Sequence, residues 1–237
     1  MLLPMKNISS QVTTVLLPIM SKVQDQHEKL SRLTIKSLSG ITFIIFPLMI
    51  LLSGTSALWV NMFFPEEYGY IEEMVAVLCI VGAFQAIASP LGNLYIISGR
   101  TDVMLKTGIV KTFVMVSGFI AGGLSHDITI FMFIYIGLYV FIDMPVSYYY
   151  AFKVASLSLK ELAGKVIIVL IPSLLLLIFL IIGASFGLEF TRNPTALLIF
   201  LVLTGVTLYL LIYQSMHSNS VKENIFYVKN ILRNFKG

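Results

Sequence analysis

Six long apolar stretches, separated by short polar segments, cover most of this chain. They occupy residues 37–65, 74–99, 112–125, 128–153, 166–188 and 193–217. About 20 apolar residues cross the hydrocarbon core of a bilayer, so nearly all of these stretches are long enough to span one. Backbone groups find no water in lipid, and the sequence lacks alternating ten-residue strands, so each stretch is predicted to be a helix. The predicted fold is all-α, a polytopic membrane protein with six transmembrane helices.

The two ends of the chain have a different pattern. Residues 12–20 form an apolar run too short to cross a bilayer, which is predicted to be the end of a partial helix, and residues 21–36 are a polar connector. In the connector, Asp25, Glu28, Lys29 and Arg32 are spaced for local ion pairs on a helix. Residues 220–235 carry an apolar stripe opposite basic side chains, which is typical of an amphipathic helix lying on anionic lipid. We therefore divide the chain into a partial helix with a cytoplasmic connector (1–36), a six-helix transmembrane bundle (37–217) and a cytoplasmic amphipathic tail (218–237).

Charge is scarce and is placed at the ends of the predicted helices. Charged residues make up 12% of the chain, roughly half the share found in soluble domains, and hydrophobic residues make up 57%. Lysine and arginine are concentrated in alternate connecting segments, whereas the loop at 64–73 holds four glutamates and no cation. The rule that short cytoplasmic loops are basic predicts a cytoplasmic C-terminus. The net charge of +4 therefore indicates membrane topology rather than nucleic-acid binding.

Polar residues in the second stretch fall on one helical face. Gln85, Ser89 and Asn93 share this face with small residues, and Pro90 removes a backbone hydrogen bond. The face is predicted to turn away from lipid. Two interpretations remain open: helix packing through small residues, or the lining of a transport cavity.

Two charged residues lie within or beside the next two stretches. Lys111 shares a face with the GxxxG pair Gly118 and Gly122, so its ammonium group either faces a substrate or extends to the cytoplasmic interface. Asp143 shares a face with Tyr139 and with Ser147 and Tyr150. Its carboxylate is either an ion-coupling group or a solvated group near the cytoplasmic end of its helix.

The sequence offers little that indicates enzyme chemistry. The three histidines, His27, His126 and His217, have no histidine or glutamate at metal-binding spacing on a helix, and Cys79 is the single cysteine. No metal site is predicted, and we expect the protein not to be an enzyme.

Several short motifs resemble a known family. The run Leu16-Leu17-Pro18-Ile19-Met20-Ser21-Lys22-Val23-Gln24-Asp25, then Phe46-Pro47-Leu48-Met49, then residues 85–102 ending in Ser98-Gly99-Arg100-Thr101-Asp102, are similar to polysaccharide flippases of the multidrug, oligosaccharidyl-lipid and polysaccharide exporter superfamily. These are transporters of the O-antigen, colanic acid and teichuronic acid type. The resemblance extends over about residues 8–150.

The resemblance implies a bacterial inner-membrane protein of two lobes around a cavity, which turns over a lipid-linked oligosaccharide. A chain of this length then corresponds to the C-terminal half of such a transporter. The expected cavity residues are Gln85, Asn93, Arg100 and Lys111, and Asp143 is expected to carry a coupling H⁺ or Na⁺, with no other cofactor. Expected partners are lipid-linked oligosaccharide and membrane lipid, together with a separate N-terminal half or glycan assembly proteins.

Other functions are consistent with the same sequence. A non-transporting membrane partner subunit and an inactive truncated fragment are both expected to have the same helices and small-residue stripes. A membrane glycosyltransferase or ligase would need a large polar outer loop, and the outer loops here are short.

Overall fold

The computed structural model describes residues 18–88, 91–155, 157–190 and 193–216. The helices within these ranges are α1 (His27–Gly54), α2 (Ser56–Phe63), α3 (Ile71–Ala88), α4 (Leu91–Ile97), α5 (Thr101–Leu124), α6 (Ile128–Leu138), α7 (Met144–Ala155), α8 (Leu159–Phe190) and α9 (Pro194–Met216). A 3₁₀ turn covers Glu66–Tyr68, and a π-helical turn, Tyr139–Asp143, joins α6 to α7. The predicted partial helix before residue 18, Ser89, Pro90 and the predicted tail helix lie outside the described residues.

Among the described residues, six helical segments are long and apolar enough to cross a membrane. They are His27–Gly54, Ile71–Ile97, Thr101–Leu124, Ile128–Val154, Lys160–Gly187 and Pro194–Met216. The prediction of an all-α polytopic membrane protein with six transmembrane helices is confirmed. The first span begins earlier than predicted, since α1 continues through the basic connector, where Glu28 and Arg32 form an exposed ion pair at 4.0 Å.

The third span is longer than the sequence pattern predicted. Helix α5 begins at Thr101 rather than at residue 112, so both Lys106 and Lys111 lie inside it. The hydropathy pattern placed the boundary too late because these two cations interrupt the apolar run. At 1.5 Å per residue, the 24 residues of α5 extend about 36 Å, enough to cross the bilayer.

The described residues divide into two compact units. The first unit contains residues 38–86 and those from 160 onward. In it, glycines permit close helix contacts: a Cβ on Gly54 would lie 2.7 Å from Cβ of Leu180, and one on Gly205 would lie 3.2 Å from Leu51. The buried Tyr209 hydroxyl donates a hydrogen bond to the Phe43 carbonyl at 3.4 Å, which links α9 to α1.

Among the described residues, the second unit contains 18–37 and 87–159, and it includes the hairpin of α5 and α6. Gly118 and Gly122 are buried in this hairpin, because Leu138 occupies the space beside Gly118 and Phe131 lies against Gly122. The aromatic ring of Phe119 stacks on that of Phe131, with ring centroids 5.6 Å apart. The predicted GxxxG pair therefore packs on protein.

The turn of the hairpin is fixed by local hydrogen bonds. His126 adopts a left-handed conformation with φ of 54°, which lets the chain reverse within three residues. The carboxylate of Asp127 then accepts hydrogen bonds from the backbone N–H groups of Thr129 and Ile130 and caps α6. This short connection holds α5 and α6 antiparallel, so residues equally far from the turn lie at the same depth.

A proline explains the irregular turn between α6 and α7. Pro145 has no N–H, and its ring would clash with the carbonyl four residues earlier in a regular α-helix. The backbone widens instead, and the N–H of Met144 donates to the carbonyl of Tyr139, five residues back. Such π-helical turns are frequent at functional sites, and this one ends at Asp143.

Candidate intramembrane polar site

The second unit contains an ion pair between two membrane-spanning helical segments. The Nζ atom of Lys111 in α5 lies 2.9 Å from Oδ1 of Asp143 at the end of the π-helical turn. The Lys111 side chain is 26% exposed and the Asp143 side chain is 16% exposed. Charged groups in a bilayer carry a large desolvation cost unless they are paired, and here each supplies the partner that the other needs.

Ser147 connects the two members of the pair. Lys111 Nζ donates a hydrogen bond of 2.6 Å to Ser147 Oγ, and that hydroxyl donates one of 2.7 Å to the carbonyl of Asp143. The buried Tyr95 of α4 places its hydroxyl 3.5 Å from the Ser147 carbonyl. The ammonium group of Lys111 is thus held in one position by a carboxylate and a hydroxyl.

The pair lies far from both ends of its helices. Lys111 is ten residues after the start of α5 and thirteen before its end, or about 15 Å and 20 Å along the axis. Asp143 is followed by the twelve residues of α7. Asp143 therefore lies inside the continuous helical segment Ile128–Val154 and not at its end. Lys111 is directed to a partner on the neighbouring segment at this depth.

Two buried hydroxyl groups lie near this pair. Among the described residues, those of Tyr139 and Tyr148 are buried side-chain polar atoms with no hydrogen-bond partner in the protein. Tyr139 begins the π-helical turn that Asp143 ends, and only 3% of it is exposed. The Tyr139 hydroxyl lies within electrostatic range of both the Asp143 carboxylate and the Tyr148 hydroxyl.

The other predicted site residues lie elsewhere. Gln85 is half-buried in α3, in the first unit, and Asn93 is half-buried in α4, in the second. Arg100 is exposed and its Nε donates to Asp102 Oδ1 at 3.2 Å. Of the five predicted site residues, Lys111 and Asp143 contact each other directly.

Arg100 is positioned by the end of α4. Gly99 has a φ of 64°, and the N–H groups of Gly99 and Arg100 donate to the carbonyls of Ile96 and Tyr95. This is a Schellman turn, and the left-handed conformation at its second-to-last position favours glycine. The arginine then lines an open polar pocket of about 670 Å³ within the second unit, together with Gln24, Asp25, His27 and Ser98.

No group of three or more histidine, cysteine, aspartate or glutamate side chains in the described part of the chain could hold a metal ion. The site at Lys111 and Asp143 instead combines one cation, one anion, a serine hydroxyl and a buried phenol. Such a set can bind an anionic group at Lys111, or a small cation or proton at Asp143.

The pairing of Lys111 with Asp143 could have been predicted from the helix lengths on either side of the hairpin turn. Lys111 lies thirteen residues before the end of α5, and Asp143 lies fifteen residues after the start of α6. Two antiparallel helices joined by a three-residue turn therefore bring these positions to similar depth. Ser147 shares a helical face with Asp143, but its bond to Lys111 depends on the π-helical turn, which hydropathy does not indicate.

The fold and this site define a helical multi-pass membrane protein with a polar centre inside the membrane. Residues 1–76 match the family model described as polysaccharide biosynthesis protein. The predicted resemblance to the polysaccharide flippase family is thereby confirmed, and two curated relatives extend it.

Both relatives are bacterial. Over 120 residues the chain is 33% identical to the lipopolysaccharide biosynthesis protein WzxC of Escherichia coli (strain K12), covering 51% of this chain and 24% of that protein. Over 113 residues it is 31% identical to an uncharacterized membrane protein in the cps region of Klebsiella pneumoniae, covering 48% of this chain and 23% of that protein. The matched part of the chain thus spans about a quarter of the length of these relatives. No solved structure matches.

Proposed function

We propose that this chain takes part in moving lipid-linked oligosaccharide across the bacterial inner membrane during the synthesis of a surface polysaccharide. The observation that carries the proposal is the Lys111–Asp143 pair, about halfway along a membrane-spanning hairpin, in a chain related to polysaccharide biosynthesis membrane proteins. We place the C-terminus in the cytoplasm and assign the chain a transport role rather than an enzymatic one.

The chemistry of the substrate class explains the need for an internal cation. A pyrophosphate-linked glycan must carry its negative charges through about 30 Å of hydrocarbon. Lys111 supplies a positive charge and hydrogen-bond donors near the middle of that path, held ready by Asp143 and Ser147. The anionic head group would compete with Asp143 for the ammonium of Lys111.

The remaining predicted residues have roles at other stages. Arg100, in its open pocket, would meet the anionic head group at the cytoplasmic face. Gln85 and Asn93 would offer hydrogen bonds to sugar hydroxyls. Asp143, once released from Lys111, would take up the coupling H⁺ or Na⁺.

Gene replacement in the bacterium that encodes this chain tests the proposal. Deletion should lower surface polysaccharide and cause lipid-linked oligosaccharide to accumulate in the inner membrane, both measurable from membrane extracts and by surface labelling. Lys111→Met should reproduce that phenotype when export is normalised to the amount of the protein in the membrane. Lys106→Met is the matched control, because Lys106 is exposed and lies on the same helix.

The outcomes separate clearly. Unchanged surface polysaccharide in the deletion strain would contradict the proposed function. Equal loss of export in the Lys106→Met and Lys111→Met strains would show that charge anywhere on α5 matters and would remove Lys111 from its assigned role.

A further inference from the structure

Tyr139 has a hydroxyl group that the Lys111–Asp143 pair leaves unsatisfied. The residue is 3% exposed, and among the described residues its hydroxyl has no hydrogen-bond partner. An unpaired buried hydroxyl costs about 1–3 kcal/mol, and lipid offers no substitute for water. The same hydroxyl would be stabilised in any arrangement of the site that brings an acceptor to it.

Asp143 is the acceptor within range. Asp143 lies four residues after Tyr139, so the two side chains project from the same side of this helical segment. Tyr139 and Asp143 are the first and last residues of the π-helical turn, so one local element positions both. A carboxylate has about four acceptor sites, which leaves capacity beyond the contact with Lys111.

Binding of an anion to Lys111 would deprive the Asp143 carboxylate of its ion-pair partner. Once the Lys111 ammonium turns to a phosphate group, the carboxylate is left in a region of low dielectric without its cation, which is costly. A hydrogen bond from a phenol to a carboxylate is charge-assisted and offsets part of that cost. The donor must come from nearby protein, since the pair lies deep in the membrane-spanning hairpin.

We propose that Tyr139 is the alternative partner of Asp143: when Lys111 binds an anionic head group, the Asp143 carboxylate accepts a hydrogen bond from the Tyr139 hydroxyl. The inference rests on the proposed function, because the anion is the trigger for the exchange. Tyr139 is thus a positioning residue, which stabilises the bound state without contacting the substrate. Breaking the ion pair and forming the new hydrogen bond happen together, so the free energy of opening the pair is reduced.

The test measures affinity and stability in the same samples. The full chain in nanodiscs is titrated with farnesyl pyrophosphate, a short isoprenyl pyrophosphate, by isothermal titration calorimetry. Tyr139→Phe should weaken binding about tenfold, the magnitude expected for a lost charge-assisted hydrogen bond. Without ligand, Tyr139→Phe should melt at the same temperature as the wild type or higher, because the substitution removes an unsatisfied hydroxyl.

Two further variants identify the cause. Tyr148→Phe is the matched control, since it also removes a buried, unpartnered hydroxyl, and it should leave affinity unchanged. In an Asp143→Asn background, Tyr139→Phe should have little further effect on affinity, because the acceptor charge is already gone.

Each result decides a separate point. Failure of the wild type to bind farnesyl pyrophosphate contradicts the proposed function, and undiminished binding by Lys111→Met removes Lys111 from its assigned role. Weaker binding by Lys111→Met together with unchanged binding by Tyr139→Phe overturns only the exchange. A lower melting temperature for Tyr139→Phe with unchanged affinity assigns Tyr139 a structural role.

Discussion

A charged residue inside a membrane is stable only with its partner, and this governs Lys111 and Asp143. Their side chains are 26% and 16% exposed, and Ser147 provides the additional hydrogen bond to the ammonium group. Removing one charge leaves the other unpaired in a region of low dielectric. Removing both leaves two neutral side chains, whose desolvation costs much less than that of an unpaired charge. The single variants should therefore lose more stability than the double variant.

We expect Lys111→Met and Asp143→Asn each to lower the stability of the protein, by on the order of 3 kcal/mol. The double variant should recover most of that loss. Thermal unfolding in detergent, followed by circular dichroism, measures all three. Additive losses in the double variant would show that the two residues contribute independently and that the ion pair is not the source of the effect.

The sequence pattern identified which residues belong to this site, but it said less about how they are arranged. Lys111 and Asp143 were conspicuous because charges are rare in apolar spans, and both are confirmed as lying inside helical spans. Their pairing depends on the depth set by the hairpin turn, and the burial of the Tyr139 hydroxyl depends on packing. Hydropathy along the sequence gives neither the relative depth of two helical positions nor the burial of a hydroxyl group. The transport roles of Gln85, Asn93 and Arg100 stay predictions.

The α5–α6 hairpin depends on glycines whose Cβ positions are already occupied. A Cβ on Gly122 would lie 3.2 Å from the Cα of Phe131, a backbone atom that cannot move aside as a flexible side-chain end can. Gly123, the next residue, has nothing within 4 Å of its Cβ position. The two neighbours therefore make a matched pair for testing close packing against helix propensity.

Gly122→Ala should destabilise the protein by about 1–3 kcal/mol, because the added methyl group forces the helices apart. Gly123→Ala should be neutral or stabilising by up to about 1 kcal/mol, since alanine is the better helix former. Melting temperatures of the two purified variants decide the matter. Equal destabilisation, or a more stable Gly122→Ala, would mean that the hairpin does not pack through Gly122.

Element boundaries were the part of the fold that hydropathy described least well. It placed the start of the third span at residue 112, whereas α5 begins at Thr101, because cations inside a helix resemble loop residues in such a pattern. It also treated residues 37–65 as one stretch, whereas α1 ends at Gly54 and α2 follows. The break falls where Gly54 lies against Leu180, a contact that appears only in the folded chain.

At the scale of the whole molecule, the number of spans and the helical fold class followed from composition and hydropathy. The resemblance to polysaccharide flippases, based on short motifs, is confirmed by the family match over residues 1–76. Orientation depends on the distribution of lysine and arginine, and it stays a prediction. It places the exposed Lys160 on the cytoplasmic side and the exposed Glu67 on the outer side.

Cysteine labelling of intact cells tests this orientation. The native Cys79 is only 3% exposed, so background reaction should be slow. With a membrane-impermeant maleimide, Glu67→Cys should react in intact cells and Lys160→Cys only after permeabilisation. The reverse pattern would invert the topology, and with it the assignment of Arg100 to the cytoplasmic face.

Separating stability from transport at the Lys111–Asp143 pair tests the account most directly. The double variant Lys111→Met with Asp143→Asn should fold and accumulate as the wild type does, because both replacement side chains are neutral. The measurement is surface polysaccharide and inner-membrane lipid-linked oligosaccharide in a strain that carries only this variant. The account predicts normal protein abundance with export reduced to the level of the deletion strain. Normal export from the double variant would contradict it, because the pair would then be a structural contact and nothing more.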